Sequence, residues 1–460
     1  MTSFPPHVPA APDEADYDRV RLRQWLAGTA RADGFGRREL LRLLAAAPAA
    51  AALPALGATG AAAASGHPAH ASGRAASSAT PGGAPRAAGA ARGRAAAAPG
   101  IVKPLPAEWF VVRDTNAETR WSALRGTGPH TPLDRFFVRN HVATPRLDAA
   151  RWRLRLWGSG LRGAPTYDRA VEIGYEELRS LPSVTRSAFV ECAGNGRGYF
   201  ATQQGEPVSG TPWTLGAIGS ARWRGVPLAT VLRRAGLLER AVDVMPRGLD
   251  DDYLSDGVNL GPVRRPLPVA KALSDVLLAY EMNGEPLPHD HGHPVRVLVP
   301  SWNGVASIKW VGDIEVSAEP LYSPWNTRMY RLFGPAHPEG GAPLTRAGVR
   351  SAFELDPHQR FAAGRTHRLT GRSWSGAAPV RSVEVSFDGG ARWRQARLLD
   401  RPRAGDWVRW TADWLPRHQG TAALLARATD AAGRTQPDRA VYNTHGYLFD
   451  AVVRHLVEVV

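Results

Sequence analysis

An α+β domain followed by an all-β, Ig-like sandwich is the architecture this sequence predicts, and three observations predict it. Residues 57–100 contain no Val, Leu, Ile, Phe, Tyr or Trp, so the folded part begins only after them. From Trp109 to about Glu319, short alternating apolar runs are mixed with short helical patterns and long Pro- and Gly-bounded loops, the signature of α+β rather than of a doubly wound sheet. From residue 336 onward only strand patterns and glycine turns recur.

Within the first folded region, Trp152–Trp157 alternates as a strand that stops at Gly158. Tyr175–Leu181 reads as a short helix ended by Pro182, and Val226–Gly236 as a helix with proline near its first turn and glycine at its end. Val295–Pro300 and Ile308–Val311 read as strands. In the second region, Ser382–Phe387, the turn Asp388-Gly389-Gly390 and a run through Trp393 form a hairpin pattern. Leu424–Asp430 before Ala431-Ala432-Gly433 repeats it, and the apolar tail Val452–Val460 reads as a closing strand.

The chain of 460 residues has one cysteine, Cys192. That excludes an internal disulfide framework, a CxxC redox pair, a Cys-rich zinc site, an iron–sulfur cluster held by this chain alone and haem attached through CxxCH. The formal net charge is +15, but residues 1–72 hold +1 of it and residues 73–100 hold +4, all arginine. The remaining +10 is interspersed with acids and forms no basic block, which argues against nucleic-acid binding and suits a small anion or an acidic partner. Gly36-Arg37-Arg38-Glu39-Leu40-Leu41 precedes an Ala/Leu run broken by Pro48 and Pro54, too short and interrupted for a spanning helix. An arginine pair, an apolar stretch and small residues read as a twin-arginine export signal over 1–72, then a linker over 73–108. The expected location is therefore periplasmic or otherwise extracytoplasmic.

No GxGxxG follows a strand and no GxxxxGK[ST] occurs, so neither a nicotinamide nor a nucleoside triphosphate is expected. Cys192 ends the strand-like run Phe189-Val190-Glu191 and opens the loop Ala193-Gly194-Asn195-Gly196-Arg197-Gly198, where backbone can approach a bulky group closely. From these residues alone the thiol fits a buried structural cysteine, a nucleophile paired with a histidine, or a single soft ligand to a cofactor-borne metal.

Several strings in order resemble the sulfite oxidase family of molybdenum enzymes: Arg139-Asn140-His141, Cys192-Ala193-Gly194-Asn195, Ala221–Leu228, Leu278–Gly284, Asp290–Arg296 and Lys309-Trp310. The resemblance implies a molybdopterin-binding catalytic domain over 109–335 and a dimerisation domain over 336–460. It implies oxidation of sulfite to sulfate by oxygen-atom transfer, with electrons passed to an external acceptor such as a cytochrome c. By resemblance, Cys192 is the thiolate ligand of the molybdenum, and Arg139, Arg197 and Tyr322 face the substrate. Phe137, Asn140, His141, Asp250, His291, Arg296 and Lys309 match positions that hold the pterin and its phosphate.

Two departures stand out. Gly196 stands where animal members have a second consecutive arginine, and a family lysine is absent near Ser209–Trp213, so the pocket is less cationic. His337-Pro338-Glu339-Gly340-Gly341 superficially resembles a haem-ligand string but reads as a loop, and no haem is expected. The alternatives are reductive oxygen transfer, on a sulfoxide or nitrate, at the same centre, and a non-catalytic surface protein that binds a partner through its Ig-like module. A homodimer is expected, without an integral membrane anchor.

Overall fold

A computed structural model describes residues 100–460. The expected export signal and most of the expected linker lie outside the described residues. The last part of that linker segment, 100–108, is ordered. Val102 and Lys103 donate their backbone N–H groups to the Asp290 carboxylate at 3.0 and 2.8 Å, and the Lys103 ammonium donates to the carbonyls of Leu133 and Phe136 at 2.7 and 2.9 Å. Leu105 is buried beside Phe110 and Val138. Residues 100–108, expected as linker, are thus part of the described fold, because one apolar anchor and a set of backbone donors order a segment that has no hydrophobic periodicity.

The α+β region is built on two sheets. One has the strand order Leu267–Pro268, Asp243–Gly248, Val311–Ser317, Arg153–Trp157, Val171–Gly174, and its central pair, Val311–Ser317 with Arg153–Trp157, is parallel. The other has the order Glu285–Pro286, Leu277–Met282, Ile218–Pro227, Val184–Glu191, and Arg296–Leu298 also pairs with Leu277–Met282. The helices Tyr175–Ser180 and Leu228–Arg234 form where proline and glycine punctuation predicts them, and their apolar faces (Leu178; Leu228, Val231, Leu232) join one core with Leu154, Leu156 and Ile314. The expected strand Ile308–Val311 begins only at Val311. Trp310 takes a left-handed φ of 52° and its indole donates to His289 O at 2.8 Å, so the chain kinks instead of extending through Lys309.

The C-terminal region is β-rich, with two sheets sharing one core. Arg350–Phe353, His367–Trp374, Trp407–Trp414 and Arg397–Leu398 form the first. Arg360–Phe361, His455–Val459, Gly420–Asp430, Val380–Ser386 and Arg394–Gln395 form the second. Phe353, Leu369 and Trp410 of one sheet meet Val383, Leu424 and Val457 of the other, which is the inward half of each alternating pattern. The hairpin expected at Asp388–Gly390 joins Val380–Ser386 to Arg394–Gln395, and the tail closes the sheet as His455–Val459.

Candidate active site

Cys192 is placed by a strand that ends one residue before it. Val184–Glu191 pairs with Ile218–Pro227 from Val184↔Gly225 to Glu191↔Ile218, and Cys192 adds one more bond, N–H to Ala217 O at 2.9 Å. The chain then turns tightly: Asn195 N–H donates to Cys192 O and Arg197 N–H to Gly194 O, both at 2.9 Å. The Asn195 side chain pins the turn, accepting from Ala217 N–H at 3.1 Å and donating to Glu191 at 2.9 Å.

In front of the thiol lies a cleft of about 750 Å³, counting its open mouth. Nine of the eleven candidate residues line it: Phe137, Arg139, Asn140, His141, Cys192, Asp250, His291, Arg296 and Lys309. They arrive from five separate stretches of chain. Lys309 Nζ bonds Asn140 Oδ1 and donates to Asp290 O at 2.8 Å, while Arg296 donates to His291 O at 3.1 Å and Ser307 O at 2.9 Å. Asp290 accepts from Thr144 Oγ1 at 2.5 Å, and Thr144 in turn accepts from Asn140 Nδ2 at 2.9 Å.

The other two candidates are not in the lining. Arg197 stands behind it, donating from Nε to His445 O at 2.8 Å and from Nη1 to Thr211 O at 3.0 Å, with its guanidinium 5.3 Å from the centre of the Tyr447 ring. Tyr322 is half-buried outside the lining, and the phenol in the cleft belongs to Tyr330. Tyr330 Oη lies 3.3 Å from His141 Nε2 and its ring stacks on Tyr447 at 5.2 Å. Between the two tyrosines the short helix Pro324–Thr327 carries the chain on before Tyr330, at a φ of 55°, turns into the cleft. Asp290 and Tyr447 were likewise missed; Asp290 sits inside a quoted motif, but Tyr447 has no local signal.

The electrostatics of the cleft are those of a site short of a partner. Burial, with Arg139 and Lys309 adding to it, pushes the His141 imidazole well below its ordinary value, so it is neutral at pH 7. Burial, with Lys103, Lys309 and Arg296 nearby, does the same to His291. Lys309 is driven well down by burial and by Arg296, and Arg296 falls to about 9 through burial. Asp250 is pushed up to about 6 by burial. Three buried polar atoms of the lining have no hydrogen-bond partner: Arg139 Nη1, Asp250 Oδ1 and His291 Nε2. Unpaired buried groups are costly, and three converging on one cleft mark a place for a polar ligand. Among the described residues no group of three or more His, Cys, Asp or Glu could hold a metal ion by itself. A metal in this cleft must therefore arrive with most of its ligands. The donor set suits a pterin cofactor with a phosphate tail and its own sulfur donors: Lys309, Arg296 and Asn140 could hold the phosphate, Asp250 could accept from pterin N–H groups, and Cys192 could supply one protein thiolate.

The fold and this cleft define a molybdopterin-dependent oxidoreductase. Residues 141–325 match the oxidoreductase molybdopterin binding domain, and residues 352–459 match the Mo-co oxidoreductase dimerisation domain. The chain is 36% identical over 343 residues to the sulfite oxidase of Gallus gallus, covering 70% of this chain and 71% of that protein. It is 31% identical over 359 residues to the sulfite oxidase of Arabidopsis thaliana, covering 72% and 89%. Against the human mitochondrial sulfite oxidase it is 35% identical over 340 residues and spans 60% of that protein's length. Among solved structures, the sulfane dehydrogenase SoxCD from Paracoccus pantotrophus matches with a TM-score of 0.63 at 27% identity, over 75% of this chain and 86% of that one. The chain belongs to the sulfite oxidase family.

Proposed function

We propose that this protein oxidises sulfite to sulfate by oxygen-atom transfer, with Cys192 as its own ligand to a pterin-held molybdenum. The observation that carries the reading is the unpaired, buried Arg139 Nη1 in the same cleft as Cys192. The cofactor, when bound, supplies oxygen-atom transfer and a two-electron redox change. The residues of the chain bind, orient and desolvate. Arg139 stays protonated: burial opposes its charge but does not bring its pKa below the ordinary high value of an arginine. Its free arm suits an oxyanion, to which it offers a charge-assisted hydrogen bond. The Tyr330 phenol, kept protonated by burial, is a second donor beside it.

The net reaction converts sulfite and water to sulfate, two protons and two electrons. Those electrons leave one at a time to two equivalents of an external one-electron acceptor, a cytochrome c in this reading. Two copies pair through residues 352–459, and the chain is exported by the twin-arginine route, folded around its cofactor. No helix among the described residues is long and apolar enough to cross a membrane. Reductive oxygen transfer is the second reading: the nitrate reductase of Hordeum vulgare is 30% identical over 362 residues, though this chain spans only 40% of it.

Steady-state oxidation with a soluble acceptor separates the two. Sulfite should drive acceptor reduction, and Arg139→Met should raise the KM for sulfite roughly 10- to 100-fold, the worth of a hydrogen bond to a charged group. Nitrate- or sulfoxide-driven oxidation of a reduced dye, with no activity on sulfite, would replace this reading with the reductive one.

A further inference from the structure

Glu191, the residue before Cys192, is held by an arginine from the C-terminal region. Its carboxylate accepts from Arg350 Nη1 at 2.8 Å and Asn195 Nδ2 at 2.9 Å on one oxygen, and from Trp374 Nε1 at 2.9 Å on the other. Both side chains are almost fully buried, 4% and 3% exposed. Arg350 Nη1 also donates to Asn195 O at 2.9 Å, so the pair grips the cysteine loop at both ends. Arg350 Nη2 is buried and unpartnered, and it fills the space beside Gly196. A Cβ added at Gly196 would sit 2.4 Å from that nitrogen, on a backbone with φ of 84°. A side chain at the loop position where animal members carry an arginine would therefore have to displace the Arg350 guanidinium and adopt a left-handed backbone. A cation reaches the loop instead from the strand Arg350–Phe353, 159 residues away from its carboxylate partner. A small void lined by Glu191, Cys192, Ala193, Arg350, Leu448 and Asp450 joins the pair to the back of the cysteine.

We infer that the Arg350–Glu191 pair positions the cysteine loop and balances the electrostatic potential at the Cys192 sulfur, through which the C-terminal region sets the redox potential of the bound metal. This rests on Cys192 being the molybdenum ligand. Inside a low-dielectric region, one uncompensated charge acts strongly on a nearby redox centre, while a paired one acts weakly. Asp450 is the third charged group at this void; burial pushes it up to about 6 against the pull of Arg350. Near pH 8 it is ionised in the parent, and Glu191→Gln, which keeps Arg350 beside it, leaves it so; Glu191→Gln is therefore the cleaner arm.

The test is the midpoint potential of the bound molybdenum at pH 8, measured by spectroelectrochemical titration with chemical mediators and no sulfite, alongside molybdenum content per chain. Glu191→Gln leaves the arginine charge unbalanced and should raise the potential. Arg350→Gln leaves the carboxylate unbalanced and should lower it. The double variant should return close to the parent value. A merely structural role predicts a loss of molybdenum content in both single variants without shifts of opposite sign, and that result overturns the inference. Where Arg350→Gln fails to fold, Glu191→Gln decides alone: an upward shift supports the pair's role and an unchanged or lowered potential refutes it. Molybdenum absent from the parent protein would refute the ligand assignment itself, a separate failure.

Discussion

Arg372 in the C-terminal sandwich and Arg139 in the cleft are both buried arginines, and they are treated in opposite ways. Arg372 donates to Glu354 at 2.7 Å, to Thr127 Oγ1 at 2.8 Å and to Leu124 O at 3.1 Å, and stacks 4.4 Å from the Trp407 ring centre. Arg139 has a buried Nη1 with no partner, as do Asp250 Oδ1 and His291 Nε2 around it. Arg372 buries its charge as a completed pair with Glu354, which makes that charge part of the scaffold. The cleft leaves its polar groups incomplete, which reserves them for a ligand. Substitutions should therefore have opposite effects on the cofactor-free protein in the two regions.

The largest effect is expected from Cys192→Ser. If Cys192 is the thiolate ligand, as proposed, sulfite oxidation should fall by more than the roughly 100-fold that loss of an outer-sphere partner costs. Circular dichroism should show the fold retained, since the thiol makes no hydrogen bond on which the loop depends. Next comes the sandwich. Glu354→Gln leaves Arg372 buried without its counter-charge and should cost about 3–5 kcal/mol in denaturant unfolding of the cofactor-free protein, with molybdenum content unaffected in the folded fraction. An undiminished stability would erase the contrast between the regions.

Asp250→Asn tests the cleft side. The folded-state pKa of Asp250, about 6, lies above the ordinary 3.8, so the folded protein binds the extra proton more readily than the unfolded one. Stability contributed by that proton is present below pH 4 and is lost as pH rises through about 6. The asparagine variant should lack this loss and be more stable than the parent above pH 6, by on the order of 2–3 kcal/mol in the cofactor-free form. It should also retain less cofactor. Lys103 tests the strap beside the cleft. Burial lowers its pKa from 10.5 to about 7, so between those values the unfolded chain binds more protons and the folded protein gains stability as pH rises. Thermal melts from pH 7 to 10 should show the parent gaining a few degrees relative to Lys103→Met.

Much of the cleft was legible in the sequence because its residues lie in short strings with an ordered resemblance: Arg139-Asn140-His141, Asp290–Arg296 and Lys309 each sit within one turn or strand end. What was not legible depends on distant chain meeting. Tyr330 lines the cleft and Tyr322 does not, because a four-residue helix follows Tyr322 and Tyr330 itself takes a left-handed φ, and no periodicity encodes that. Tyr447, Arg350 and Trp374 reach the cysteine loop from the C-terminal region, across sequence separations that no local pattern spans. The sandwich strands were readable from alternation and glycine turns. The strap at Gly100–Glu108 was not, because it is ordered by backbone donors to Asp290 rather than by an apolar pattern.

The central claim is that the cleft in front of Cys192 holds a molybdenum cofactor that sulfite reduces. Elemental analysis of protein produced with sufficient cofactor, followed by anaerobic addition of sulfite while the optical spectrum is recorded, tests it most directly. The account predicts one molybdenum per chain and complete reduction by one equivalent of sulfite. Protein without molybdenum, or a molybdenum spectrum that sulfite leaves unchanged, would contradict it.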